Sequence, residues 1–242
     1  MKRLFLLLAL CGMVAVGCTE GGPDDNINNG GGNNTEQPGG ETDDDTDDDT
    51  DDEAIEIPSN EIWYTSTNNL ELLPASTKMH IFGANLTSNI YKDGKGVLTF
   101  DGIVDKIGDG AFSGCITLAS ITIPDSVTEI GSAAFLGCVT LTSVTIPEGV
   151  TEIGSQAFSV CTSLTSVTIP ASVTSVSYLA FAYCSSLKEV YCKPTTPPTG
   201  DSSMFYDNAS GRKIYVPTES VDAYKSAECW SDYADYFEGY DF

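Results

Sequence analysis

The sequence predicts a repeat solenoid, and three observations predict it. The stretch GSAAFLGCVTLTSVTIPEGVTEI, Gly131 to Ile153, is followed at once by its near-copy GSQAFSVCTSLTSVTIPASVTSV, Gly154 to Val176. Four units align at a 23-residue spacing, starting at Gly108, Gly131, Gly154 and Ser177. Each keeps the frame A-F-x-x-C-x-x-L-x-x-V/I-x-I/C, so its apolar residues recur at fixed phase.

A period of roughly 20–29 residues marks leucine-rich-repeat coils, and Leu141-x-x-Val144-x-Ile146 is a local L-x-x-L-x-L. Ser143 to Ile146 alternates, which sends Val144 and Ile146 inward and Ser143 and Thr145 outward on a short strand. Pro147 has no N–H and ends that strand. Ala134, Phe135, Cys138 and Leu141 supply more inner wall, expected on a short helical or 3₁₀ turn, and Val150 and Ile153 close the coil. One coil cannot bury its own core, so the units must stack with parallel strands about 4.8 Å apart.

That stacking decides the reading of Cys115, Cys138, Cys161 and Cys184, which recur at one phase. Four sulfurs in a column at steps of about 4.8 Å span too far to close on one zinc ion. Their side chains run parallel, which disfavours disulfides between neighbours. The expectation is a column of buried free thiols acting as small hydrophobes, with no metal and no cofactor.

Residues 61–107 read as a β-rich cap: EIWYTSTNNLELL, KMHIFG and NIYKDGKGVLTF look like strands and turns, with a hairpin at Lys92 to Gly96. GIVDKI resembles the closing stretch of a coil. The repeats fill 108–199. In 200–242, Ile214 to Pro217 reads as a last strand, followed by a helix from Glu219 to about Cys229 with Thr218 as N-cap. Trp230, Tyr233 and Phe237 then cover the open end. Cys229 could pair with Cys192 in an oxidising envelope.

Ahead of these, Lys2 and Arg3 precede the apolar run Leu4 to Val16, too short to span a bilayer and suited to a signal peptide over 1–17. Ala15-Val16-Gly17-Cys18 resembles a bacterial lipobox, which implies an acylated Cys18; an ordinary cleaved signal is the other reading. Residues 18–60 are rich in Gly, Asn and Asp and read as a solvated, disordered tether. Its DDDTDDDTDD run lacks the turn glycine of a tight calcium loop. Glu20, Asp24 and Asp25, close to the lipid, resemble the acidic export tag of surface lipoproteins in some Gram-negative anaerobes, which implies an outer-membrane, cell-surface location.

Fifteen of the 35 acids lie in 19–60, yet the remainder stays acidic and shows no basic face for nucleic acid. Catalysis is weakly supported. His80 is the only histidine, and no G-x-S-x-G, H-E-x-x-H or P-loop occurs. The outward strand positions Ser120, Thr122, Ser143, Thr145, Ser166, Thr168, Glu189 and Tyr191 form two columns, the candidate binding face on the concave side of a curved solenoid. The alternative is that Thr sits there because exposed strands favour it.

The A-F-x-x-C-x-x-L-x-x-V-x-I-P unit resembles the BspA-like leucine-rich-repeat family over residues 100–217. The resemblance implies a curved solenoid on a bacterial surface, and in some members binding of host matrix proteins or other cells. The expected function is therefore a monomeric, membrane-anchored adhesion module for a host matrix protein or surface glycan. A non-binding envelope component is the second reading and a hydrolase the last.

Overall fold

The computed structural model describes residues 57–74 and 79–242. The expectations for the signal segment, Cys18 and residues 18–56 of the tether lie outside the described residues. The first three strands, β1 (Glu61–Ser66), β2 (Leu86–Lys92) and β3 (Lys95–Phe100), form an antiparallel cap in the order β2-β3-β1. Asp93 and Gly94, both at positive φ, make the β2–β3 turn. β1 then pairs antiparallel with β5 (Leu118–Thr122), so the cap is hydrogen-bonded onto the first coil.

KMHIFG is not a strand. Met79–Phe82 is one helical turn ended by Gly83 at φ +81°. The turn buries Ile81 and Phe82, and the Phe82 ring meets Phe112 edge-on at 5.8 Å. Phe82 thereby closes the first end of the phenylalanine column.

Successive coils are joined by backbone hydrogen bonds along up to three stretches. The first is the strand ladder, in which β5 pairs parallel with β7 (Ser143–Thr145). The second joins β4 (Lys106–Ile107), β6 (Glu129–Ile130), β8 (Glu152–Ile153) and β10 (Ser175–Val176) in parallel register. The GIVDKI segment thus supplies the first rung of this ladder. The third stretch is the A-F turn: Phe112, Phe135 and Phe158 N–H donate to Ala134, Ala157 and Ala180 O, each at 2.7 Å.

That turn is not helical or 3₁₀. Bonds back to the residue three earlier, such as Cys138 N to Phe135 O at 3.2 Å, alternate with bonds to the next coil. The alternation arises because every second residue is committed to a neighbouring coil. It also requires two left-handed residues per turn. One position holds Gly110, Ala133, Gln156 and Leu179; the other holds Gly114, Gly137, Val160 and Tyr183, all at positive φ.

The strand ladder continues past the four units. β9 (Ser166–Ile169) pairs with β11 (Glu189–Cys192), then β12 (Lys213–Pro217), then β13 (Phe237–Tyr240), all parallel. The last strand is therefore β13, not Ile214 to Pro217. Met204 and Phe205 occupy the Ala–Phe positions of a fifth coil, and Phe205 stacks on Phe181 at 5.6 Å.

Thr218 does not cap a helix. Its hydroxyl donates to Asp241 at 2.8 Å, because β13 brings the chain end beside it. Thr218–Ser220 is a 3₁₀ turn, the helix runs only from Val221 to Ser226, and Ser231–Tyr236 is a second 3₁₀ turn. Trp230, Tyr233 and Phe237 are buried, though on different elements. Tyr233 and Trp230 close the phenylalanine column by tilted or edge-on contact with Phe205.

Two substitutions test this geometry in opposite directions. Left-handed backbone costs a non-glycine residue about 1–2 kcal/mol, and glycine loses about 0.4–1 kcal/mol through chain entropy. Val160→Gly should therefore stabilise by about 1 kcal/mol. A Cβ on Gly154 would lie 2.6 Å from Gly131 C and Ser132 N, both backbone. Gly154→Ala should destabilise by about 1–3 kcal/mol. Denaturant midpoints of both variants check the pair.

Candidate functional site: the outward strand face

The eight predicted residues do share a face, but it is carried by two ladders. Ser120 opposes Ser143 and Thr122 opposes Thr145 across β5 and β7. Ser166 opposes Glu189 and Thr168 opposes Tyr191 across β9 and β11. β7 and β9 lie side by side without joining into one sheet. Thr122, Ser143, Thr145, Thr168 and Glu189 are exposed, and Ser120, Ser166 and Tyr191 are half-buried.

Several coil hydroxyls are engaged with the preceding coil. Thr128, Thr151, Thr174 and Thr199 each donate to the carbonyl of the matching residue one coil earlier, at 3.1–3.4 Å. Thr142 and Thr162 do the same on the approach to the strands, and Thr140 donates to Ile116 O and Leu118 O of the coil before. By contrast, the hydroxyls of Thr122, Ser143, Thr145, Ser166 and Thr168 have no hydrogen-bond partner among the described residues. Ser120 is engaged with Thr65 at 2.7 Å, and the Tyr191 hydroxyl donates to Glu189 at 3.3 Å.

The face extends beyond the predicted set at both ends. Trp63 opposes Thr122, donates to Glu61 at 2.6 Å and carries the Lys95 ammonium over its ring. At the other end Tyr215 stacks on Tyr191 at 4.8 Å, and Tyr240 packs edge-on against both. Lys213 opposes Glu189 and pairs with Glu238. The alternation of Lys213 to Val216 could have signalled the extension. β13 carried no such signal, because EGY is exposed throughout.

The cysteine column is buried, as its phase demands, but the thiols are more than small hydrophobes. Cys138, Cys161 and Cys184 each donate S–H to the carbonyl of Phe112, Phe135 and Phe158, at 3.1–3.3 Å. Cys192 and Cys229 are both free, so the possible disulfide is absent. Tyr224 Oη donates to Pro194 O, which leaves Cys192 to donate to Tyr224. Among the described residues, no group of three or more His, Cys, Asp or Glu side chains comes together in a metal-holding arrangement.

Stacked coils with one strand each, a leucine at fixed phase and a continuous inner core define a leucine-rich-repeat protein. The BspA type leucine rich repeat region matches residues 98–229 in six copies, more than half of the sequence, and the chain belongs to that family. No curated protein matches it. Among solved structures it is similar to a leucine rich repeat protein of T. pallidum at 32% identity, with a TM-score of 0.46 over 50% of this chain and 56% of that one. A leucine rich cell surface protein from Faecalibacterium prausnitzii A2-165 gives 27% identity, a TM-score of 0.32 and coverage of 56% and 44%. A leucine-rich repeat protein from Bacteroides ovatus ATCC 8483 gives 23%, 0.28, and 54% and 46%. The chain spans about half the length of these solved proteins.

Burial pushes the Cys184 and Cys192 thiols up to about 12, and raises those of Cys138 and Cys161 well above the usual 9.0. These groups ionise more readily once unfolded. Their contribution is full below pH 9 and is lost as pH rises from there towards 12. Unfolding midpoints should fall steeply over that window, and Cys161→Ala should lessen the slope. A flat profile would contradict buried thiols.

Proposed function

We propose that this protein is a surface-displayed recognition module that binds a protein or glycan partner through its outward strand face. The observation that carries this reading is a set of unpartnered hydroxyls aligned on the outward side of the strands. Thr122, Ser143, Thr145, Ser166 and Thr168 have no hydrogen-bond partner among the described residues and stand on strands held in register with their neighbours. Short hydroxyl side chains on a hydrogen-bonded strand can donate or accept and lose little entropy on contact.

The rest of the proposal concerns placement. Cys18 carries lipid, residues 18–60 hold the solenoid away from the membrane, and the protein sits on the outer surface of a Gram-negative cell. A host matrix protein or surface glycan is the partner, and the module acts as a monomeric adhesin rather than an enzyme. Multiple acyl chains on one residue supply the repeated anchoring that stable attachment needs.

Thr145→Arg combined with Thr168→Arg places two large cations on exposed positions of this face. The double variant should keep its unfolding midpoint and lose saturable binding to matrix proteins, mucin or a glycan array by at least tenfold. Undiminished binding would remove the face from consideration.

A further inference from the structure

The fifth coil and the C-terminal cap enclose a pocket of about 340 Å³, lined by no residue of the outward strand face. Arg212 forms part of its wall and is only 9% exposed. Its Nη1 donates to Phe205 O at 3.0 Å, and the guanidinium lies over the rings of Tyr236 and Tyr233 at 4.5 and 5.1 Å. None of the ion pairs among the described residues involves it. Its Nε has no acceptor.

Asn208 lines the same pocket. Its Oδ1 accepts from Cys184 N at 3.2 Å, which fixes the amide with Nδ2 as the remaining donor. That Nδ2 is also buried and unpaired. Two unsatisfied buried donors in one wall are uncommon in a folded protein. Both belong to the one irregular coil, where the strand register lengthens from 23 to 24 residues between Glu189 and Lys213.

The pocket's other features narrow what could sit there. Asp207 and Asp232, both exposed, add carboxylate acceptors and repel a free anion. An apolar ligand would leave Nε and Nδ2 unpaired. The rings of Tyr206, Tyr233 and Tyr236 supply apolar surface. A ligand that meets all three demands presents acceptors to Arg212 and Asn208, donors to Asp207 and Asp232, and a C–H face to a ring. We propose that this pocket binds a neutral saccharide unit, independently of the outward strand face. A volume of this size accommodates one or two sugar rings.

The test is an NMR titration of the full chain with N-acetylglucosamine, galactose, glucose and mannose, beside acetate and glucuronate. At least one neutral sugar should shift the Arg212 Nε–H and Asn208 Nδ2–H signals saturably. Asp232→Asn, at an exposed position, should weaken that sugar at least tenfold while the unfolding midpoint holds, and Tyr236→Ala should weaken it as much with a lowered midpoint, since its ring packs against the core and Arg212. Three results overturn the proposal: no neutral sugar shifts these signals, acetate or glucuronate alone shifts them, or both variants bind the sugar as before. Neither variant touches Thr145 or Thr168, so failure here leaves the strand-face reading standing.

Discussion

Each coil is tied to the next by backbone hydrogen bonds along the closing ladder and the A-F turn, and along the strands except between β7 and β9, and this constraint organises everything else. With the closing ladder and the A-F turn bonded at every step, the rise per coil is set by the backbone. Side chains at one phase must then sit directly over one another. Phe112, Phe135, Phe158 and Phe181 stack at 5.0–5.3 Å with planes within 9°. Aromatic pairs usually prefer tilted or offset contact. The parallel column is thus a consequence of the ladder, and the tilted contacts preferred by rings return only at its two ends.

The same constraint explains two residue choices that composition leaves open. Gly131 and Gly154 sit where one backbone lies on the next, within 2.8 Å of where a Cβ would fall. Cysteine recurs because the Phe carbonyl of the preceding coil faces it and can accept a thiol proton. Alanine would leave that acceptor with only its local N–H donor, from Cys115 in the case of Phe112. Repetition in this chain is therefore a hydrogen-bonding pattern as much as an apolar one.

How much the sequence disclosed follows from where interactions are local. The phase of Phe135 and Phe158, and the outward direction of Ser143 and Thr145, needed only alternation and the period. The turn around Ala134 was misread as helical because its alternating bonds depend on a coil 23 residues away. β13 was missed because FEGY has one inward residue, and only its register with Ile214 makes it a strand. Thr218 looked like a cap until that strand placed Asp241 beside it. The unpartnered hydroxyls were legible as positions, but their lack of partners emerges only in the folded structure.

Uniform repeats carry little discrimination, since Ser and Thr on successive strands offer a partner the same contact several times. Specificity needs departures from the repeat, and these cluster in the last coils. Glu189, Tyr191, Lys213 and Tyr215 replace the Ser/Thr pairs with charge and stacked aromatic surface. Aromatic and charged groups of this kind dominate the energetics of recognition surfaces, while short hydroxyls contribute complementarity. The segment after Phe205 keeps the length of the regular coils but carries Asn208 at their cysteine position and Arg212 at the position of Thr142 and Thr165. The regular coils thus set spacing and rigidity, and the irregular end supplies the chemistry by which one ligand can be told from another.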